Sequence, residues 1–332
     1  MVNSKFSRGL IAADSNSLRT QVAMWEDMKL WRLLWKKARG SLSDTDLVQQ
    51  ELNEKADWLG RFDDDQIRVM LLTRIGDHLD INLPQEMTAG DIDDIGSKIE
   101  EETIELLREN DDDFGGDTTS EMAQHVMQEL FKDLTDRFEE QDEETRGEIV
   151  SAILKEIESM PKEERERLRN ELDVDELSRE AIRKAIVSGS LGTAFASVVQ
   201  VAGFGAYMAA VKALAAAAGL VGITVPFSVY ATLTSAIAVA ANPLFVVPAL
   251  LGGGWLLTRY TNNKMRNNLL PVLVTQSTVQ AAVNDYSSSN LASFVESYDD
   301  ILRRYLEAKE NGKSEEFSKL EDKYAGISSI HG

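Results

Sequence analysis

Residues 185–257 read AIVSGSLGTAFASVVQVAGFGAYMAAVKALAAAAGLVGITVPFSVYATLTSAIAVAANPLFVVPALLGGGWLL. Between Lys184 and Arg259 lie 74 residues with one charge, Lys212, in a chain that is 27% charged. A helical bilayer crossing takes about 20 apolar residues, so the insert is long enough to cross twice. Residues 185–211 form one candidate span. Residues 223–258 form a second, broken by Pro226, Pro243, Pro248 and Gly252-Gly253-Gly254, residues that interrupt a helix. Arg183 and Lys184 precede the insert and Arg259, Lys264 and Arg266 follow it. Positive charge at both outer ends predicts a hairpin with both ends on the cytoplasmic side.

Two readings of this insert compete. In the first it enters a bilayer, with Val199, Phe204, Tyr207, Phe227, Tyr230, Phe245 and Trp255 as membrane-contacting residues. In the second it is a core hairpin, buried for good inside a large helical bundle. Ser188, Ser190, Thr193, Ser197 and Gln200 lower its apolar character and speak for the second. The charge-free run Ala185–Val211 speaks for the first, because a core helix normally keeps one charged, wet face. Small residues four apart, Gly189-Thr193-Ser197 and Gly205-Ala209-Ala213-Ala217, permit close helix approach under either reading.

Outward from the insert, charge falls into three blocks. Residues 1–40 carry net +5, residues 41–180 net −28 and residues 181–332 net +2, for a chain total of −21. The acidity belongs to one block, and a nucleic-acid partner is excluded because phosphate contacts need clustered Lys and Arg. The chain has no cysteine, which rules out disulfides and thiolate metal sites and fits a reducing compartment. Residues 1–20 hold only the short apolar run Leu10-Ile11-Ala12-Ala13, too short for a signal-peptide core.

Residues 20–39 read as an amphipathic helix with Met24, Met28, Trp31 and Trp35 on one stripe and Lys29, Arg32, Lys36, Lys37 and Arg39 supplying charge. Trp25, Trp31 and Trp35 are candidate interfacial residues. The competing reading, that the stripe packs on the acidic block, is the usual fate of such a pattern. From residue 41 to 180 helix starts recur: Ser43, Asp63 to Asp65, Thr88, Thr118 or Thr119, and Pro161 in a first turn. Apolar residues follow at helical spacing, as in Met127, Leu130, Phe131, Leu134 and Phe138. Alternating runs are missing, which argues against a sheet. After the insert come the apolar run Leu269–Val274, a helix of about residues 290–309 capped by Ser287–Ser289 with Phe294, Tyr298, Ile301, Leu302 and Tyr305 on one face, and a short segment Glu315–Tyr324.

No catalytic, cofactor or metal motif stands out. Asp111-Asp112-Asp113-Phe114-Gly115-Gly116-Asp117 has Gly115 at the fifth and Met122 at the twelfth position, where a calcium loop needs an oxygen ligand and a bidentate Glu. His78, His125 and His331 share no ligand spacing. Gly203-Phe204-Gly205 lacks the third glycine of a dinucleotide loop, and Gly189-Ser190-Leu191-Gly192 is not a nucleophile elbow.

Pro226-Phe227-Ser228-Val229-Tyr230, Leu233-Thr234-Ser235-Ala236, Asn242-Pro243 and Leu270-Pro271, with Phe114-Gly115-Gly116-Asp117 upstream, make residues 89–276 resemble the YaaW-type family of uncharacterised bacterial proteins. Asn242 stands where that family has glycine, and residues 1–60 and 280–332 have no counterpart. The resemblance implies a helical protein and transfers no catalytic residue. An apolar hairpin wrapped by charged helices is also similar in architecture to the pore-forming domains of colicins, without a shared motif.

The expectation is an all-α multi-helix bundle with a long apolar helical hairpin. Its parts are a basic N-terminal helix (1–40), an acidic helical domain (41–180), the apolar hairpin (181–276) and C-terminal amphipathic helices (277–332). The leading function is a non-enzymatic, membrane-inserting or pore-forming protein at the cytoplasmic face of an inner membrane. Its partners are a lipid bilayer, a protein engaged through the acidic block and further copies of itself. The alternative is a soluble interaction or chaperone-like module whose hairpin stays buried.

Overall fold

Ten consecutive residues, Leu269 to Thr278, are buried on every side of their helix, and the other elements are arranged around them. The computed structural model describes residues 2–26, 58–202, 210, 213, 262–281 and 287–311, with 315, 318–320 and 324. Among these the protein is all-α: eleven helices and no strand. They are α1 (Lys5–Ala12), α2 (Ser15–Glu26), α3 (Asp64–His78), α4 (Ala89–Asn110), α5 (Thr119–Glu139), α6 (Glu143–Ser159), α7 (Lys162–Glu171), α8 (Arg179–Val187), α9 (Ser190–Ala202), α10 (Asn262–Ala281) and α11 (Ser288–Glu310).

The central helix α10 packs on α1, α2, α4 and α5. Pro271 lies inside it and removes a backbone donor, a change that costs about 3 kcal/mol against alanine in a helix interior. The surrounding apolar contacts of Leu269, Leu270, Val272, Leu273 and Val274, each 2% exposed or less, offset that cost. Its closest neighbour is α1. A Cβ on Gly9 would stand 1.7 Å from the Ser277 carbonyl oxygen, so only glycine lets the two backbones approach this far. Further contacts hold α1 in place. Asn3 and Ser4 donate their backbone N–H groups to Asp93, both at 2.6 Å, and Phe6 N–H donates to Glu100 at 2.7 Å. At its other end Arg68 donates to the carbonyls of Leu10 and Ala13 at 3.1 and 2.9 Å, which satisfies the orphan acceptors of a helix C-terminus.

Helix caps fall where short polar residues precede apolar periodicity. Asp63 and Gln66 form a reciprocal capping box on α3, and Thr88 and Asp91 do the same on α4. Asp142 caps α6, Ser178 caps α8 and Ser287 caps α11. One side of the bundle is α5 with α8 and α9, with α6 against α8 and α7 against α9.

The apolar insert begins on that side, and here the expectation of membrane insertion is corrected. Its described part is α9, Ser190–Ala202, and it is packed within the bundle. Leu191, Ala194, Phe195, Ala196 and Val198 are buried against α5, α7 and α8. Phe195 stacks on Phe131 with centroids 5.2 Å apart. Gly192 faces Phe131 so closely that a Cβ would sit 2.5 Å from the Phe131 Cβ. Among the described residues no helix is long and apolar enough to cross a membrane. The transmembrane and pore-forming readings, and the membrane-inserting function built on them, are therefore set aside. Ala210 and Ala213, further along the insert, are also fully buried.

Candidate functional site

A concave surface joins α11 to a segment more than 200 residues away in sequence, since Tyr298 and Pro84 are 214 positions apart. Tyr298 donates its hydroxyl to the Pro84 carbonyl at 2.7 Å, and Met87 N–H donates to the Asp299 carboxylate at 3.0 Å. Burial pushes the Tyr298 phenol far above its ordinary value, so it stays a neutral donor. Residues 84–89 are thereby held along α11. Thr88 then caps α4, which fixes the segment at its other end.

Two stripes of α11 have different fates. Phe294, Tyr298, Ile301, Leu302, Tyr305 and Ala308 are buried, with α3 and α1 as the neighbouring helices. Beside them Leu291, Val295 and Leu306 are only half-buried, and they continue through Leu302 at spacings of four, seven and four, which keeps them on one side of a helix. With Gln85, Glu86 and Ala89 as the facing wall they line a groove of 1020 Å³. Among the described residues that line it are six carboxylates, from Glu86, Glu296, Asp299, Asp300, Glu307 and Glu310, against one guanidinium, Arg303, a net charge of −5 for these groups. Arg303 is engaged by Asp300 and, at 3.3 Å, by Glu307, so the one cation among the described lining residues is bound to two of the anions.

A second, smaller recess of 470 Å³ lies between α4 and residues 117–119, lined by Glu100, Glu101, Glu105, Arg108 and Asp117 among others. Arg108 is paired with Asp117 and donates to the Gly116 carbonyl at 3.0 Å, which closes the acidic loop back on α4. The rest of that loop is anchored too. His125 Nε2 lies 2.6 Å from Asp111 Oδ2, the two side chains being 11% and 9% exposed, and the Phe114 and His125 rings are 5.1 Å apart. Among the described residues no group of three or more His, Asp or Glu is arranged to hold a metal ion.

Of the residues singled out by sequence, Val199 lies on α9. Phe204, Tyr207, Phe227, Tyr230, Phe245, Trp255, Trp31 and Trp35 lie outside the described residues, as do residues 226–243, which carry most of the YaaW-type resemblance. Trp25 is 1% exposed. Its ring meets His78 edge-on at 5.2 Å, and the Arg266 guanidinium lies 5.6 Å from its centroid, a cation–π geometry. Arg74, 7% exposed, is pushed down to about 10 by burial first and by the Arg266 charge second, with Asp77 opposing. Trp25 thus sits where α2, α3 and α10 meet.

The groove was not among the sequence expectations. Leu291, Val295 and Leu306 lie at the edge of the face that sequence periodicity marks, and the wall opposite them comes from a segment distant in sequence. No family model, no curated protein and no solved structure matches the chain.

Proposed function

We propose that this chain is a non-catalytic helical interaction module that keeps its apolar hairpin covered by its own bundle and meets protein partners through its acidic helical body. One observation carries the reading: α9, the beginning of the hairpin, is packed between charged amphipathic helices, with Phe195 fully buried on Phe131. An apolar face already in contact with α5 gains little by transfer to lipid, because the hydrophobic drive scales with area still in water. The surface left over is dominated by carboxylates and contains the groove on α11, and polar rims around apolar strips are typical of protein–protein contacts.

The test is fractionation of the full chain, combined with binding of a dye that fluoresces on exposed apolar surface. The protein is expected in the supernatant after ultracentrifugation, with dye binding no higher than that of ordinary folded proteins until it is heated through its melting transition. Recovery in the membrane pellet, or strong dye binding at 25 °C, would overturn the reading.

A further inference from the structure

We propose that the groove between α11 and residues 84–89 is a docking site for a basic amphipathic helix of a partner protein; this rests on the interaction-module reading and specifies its partner. Three features of the groove converge on that occupant. Its floor is linear: Leu291, Val295, Leu302 and Leu306 follow one side of α11, and an apolar stripe at helical spacing is complementary to the i, i+4, i+7 stripe of another helix. Its length suits such a partner, since the 23 residues of α11 extend about 34 Å. Its rim selects charge. With net −5 around the floor, an anionic or neutral helix would bring like charges together or leave the carboxylates unpaired, while Lys and Arg flanking an apolar stripe would meet Glu296, Asp300, Glu307 and Glu310.

The groove is also a fixed wall rather than a loop that must be ordered on binding. The Tyr298–Pro84 and Asp299–Met87 hydrogen bonds hold residues 84–89 in place before any partner arrives, which removes part of the ordering cost of association. The acidic block of residues 41–180, at net −28, adds a long-range field of the same sign that speeds encounter with a cationic partner and fades with salt.

The experiment uses the full chain and a labelled 20-residue helical peptide with Leu at i, i+4, i+7 and i+11 flanked by Lys, read by fluorescence anisotropy at low and at physiological salt. Two controls accompany it, the same peptide with Glu in place of Lys and one with its Leu positions scrambled. The Lys peptide is expected to bind, with affinity falling as salt rises, and both controls to bind at least tenfold more weakly. Glu296→Lys combined with Glu310→Lys changes exposed side chains only and is expected to weaken binding about tenfold without altering the melting temperature. Val295→Arg tests the floor and is expected to abolish binding; a circular-dichroism melt of the same sample shows whether the fold survives. No binding by the wild type would overturn the proposal. So would equal binding of the scrambled Lys peptide, or binding indifferent to the two charge reversals, which would mean general attraction to an acidic surface. Concentration-dependent self-association lost in Val295→Arg would assign the groove to a second copy and overturn it too. Peptide failure in a protein that stays in the supernatant with its hairpin covered sinks the groove alone, whereas recovery in the pellet sinks the underlying reading.

Discussion

α9 comes from the most apolar stretch of the chain, yet Thr193 on it is exposed and Ser197 half-exposed; α10 carries Thr275-Gln276-Ser277-Thr278, yet all four are buried. Mean hydropathy would have ranked the two helices the other way for depth. Among the described residues the two helices differ in what surrounds them. α9 packs on α5, α7 and α8 with Thr193 exposed, while α10 packs on α1, α2, α4 and α5 and touches α1 through the Gly9–Ser277 contact. Of its polar residues Thr278 donates to the Thr275 carbonyl at 2.8 Å, whereas the Thr275 and Ser277 hydroxyls are buried with no hydrogen-bond partner among the described residues.

The comparison breaks most visibly under a carboxylate. Leu273 is 1% exposed on α10, and Leu273→Asp would bury an unpaired charge that costs several kcal/mol out of a total stability of about 5–15 kcal/mol. The variant is expected to lose its cooperative melt by circular dichroism. Thr193→Asp, at an exposed position of α9, is expected to change stability by no more than about 0.5 kcal/mol. If the two variants melt alike, the assignment of depth to these helices is wrong.

A smaller effect is expected on the covered side of α9. Phe195 is fully buried and stacked on Phe131, so Phe195→Ala removes a ring and leaves a cavity, a loss of about 3–5 kcal/mol. Denaturant titration should show it as a lower midpoint with an unchanged slope. A loss under about 1 kcal/mol would mean that α9 is not clamped on α5, and the case for a covered hairpin would weaken with it.

Much of the helical frame was legible from local chemistry. Asp63, Thr88 and Ser287 cap the helices that their positions predicted, Pro161 precedes α7, and the face of α11 given by Phe294, Tyr298, Ile301, Leu302 and Tyr305 is the one that is buried. These signals act within one or two turns, so a sequence displays them directly. Two things did not show. α1 has only 8 residues and reads as unremarkable, because its place in the core depends on Gly9 meeting Ser277 and on Ser7 donating to the Ile92 carbonyl at 2.7 Å, contacts that no local pattern encodes. The groove was equally hidden. Leu291, Val295 and Leu306 look like scatter on the edge of the buried face until Pro84 and Met87 are brought alongside by Tyr298 and Asp299.

The subtlest distinction between the two helices is in their response to acid. α9 carries no titratable side chain, whereas α10 meets one at its N-terminal end, where His78 Nε2 lies 2.7 Å from Asn267 Oδ1 and the ring donates to the amide oxygen. Burial pushes the His78 imidazole below its ordinary value near 6.5; the Arg266 charge adds to the shift, and the Asn267 bond with Asp77 and Asp80 opposes it. Arg74, one turn earlier on α3, and Arg266 on α10 are the cations of this junction. As pH falls through about 6.5 the unfolded chain takes up the His78 proton before the folded chain does, so the unfolded state gains protons and stability declines until pH reaches the lower, folded value. The depressed carboxylates Asp93, held by backbone N–H groups of Ser4 and Asn3, and Glu143, held by Arg183, lose their contribution in a lower window, below the ordinary carboxylate range of about 4 to 4.5. Melting temperatures measured between pH 7 and pH 5 should therefore fall with a shallow slope in the wild type and a shallower one in His78→Gln, which keeps a donor for Asn267 without a titrating ring. Identical slopes in the two proteins would remove His78 as the source of the acid response at the α10 junction.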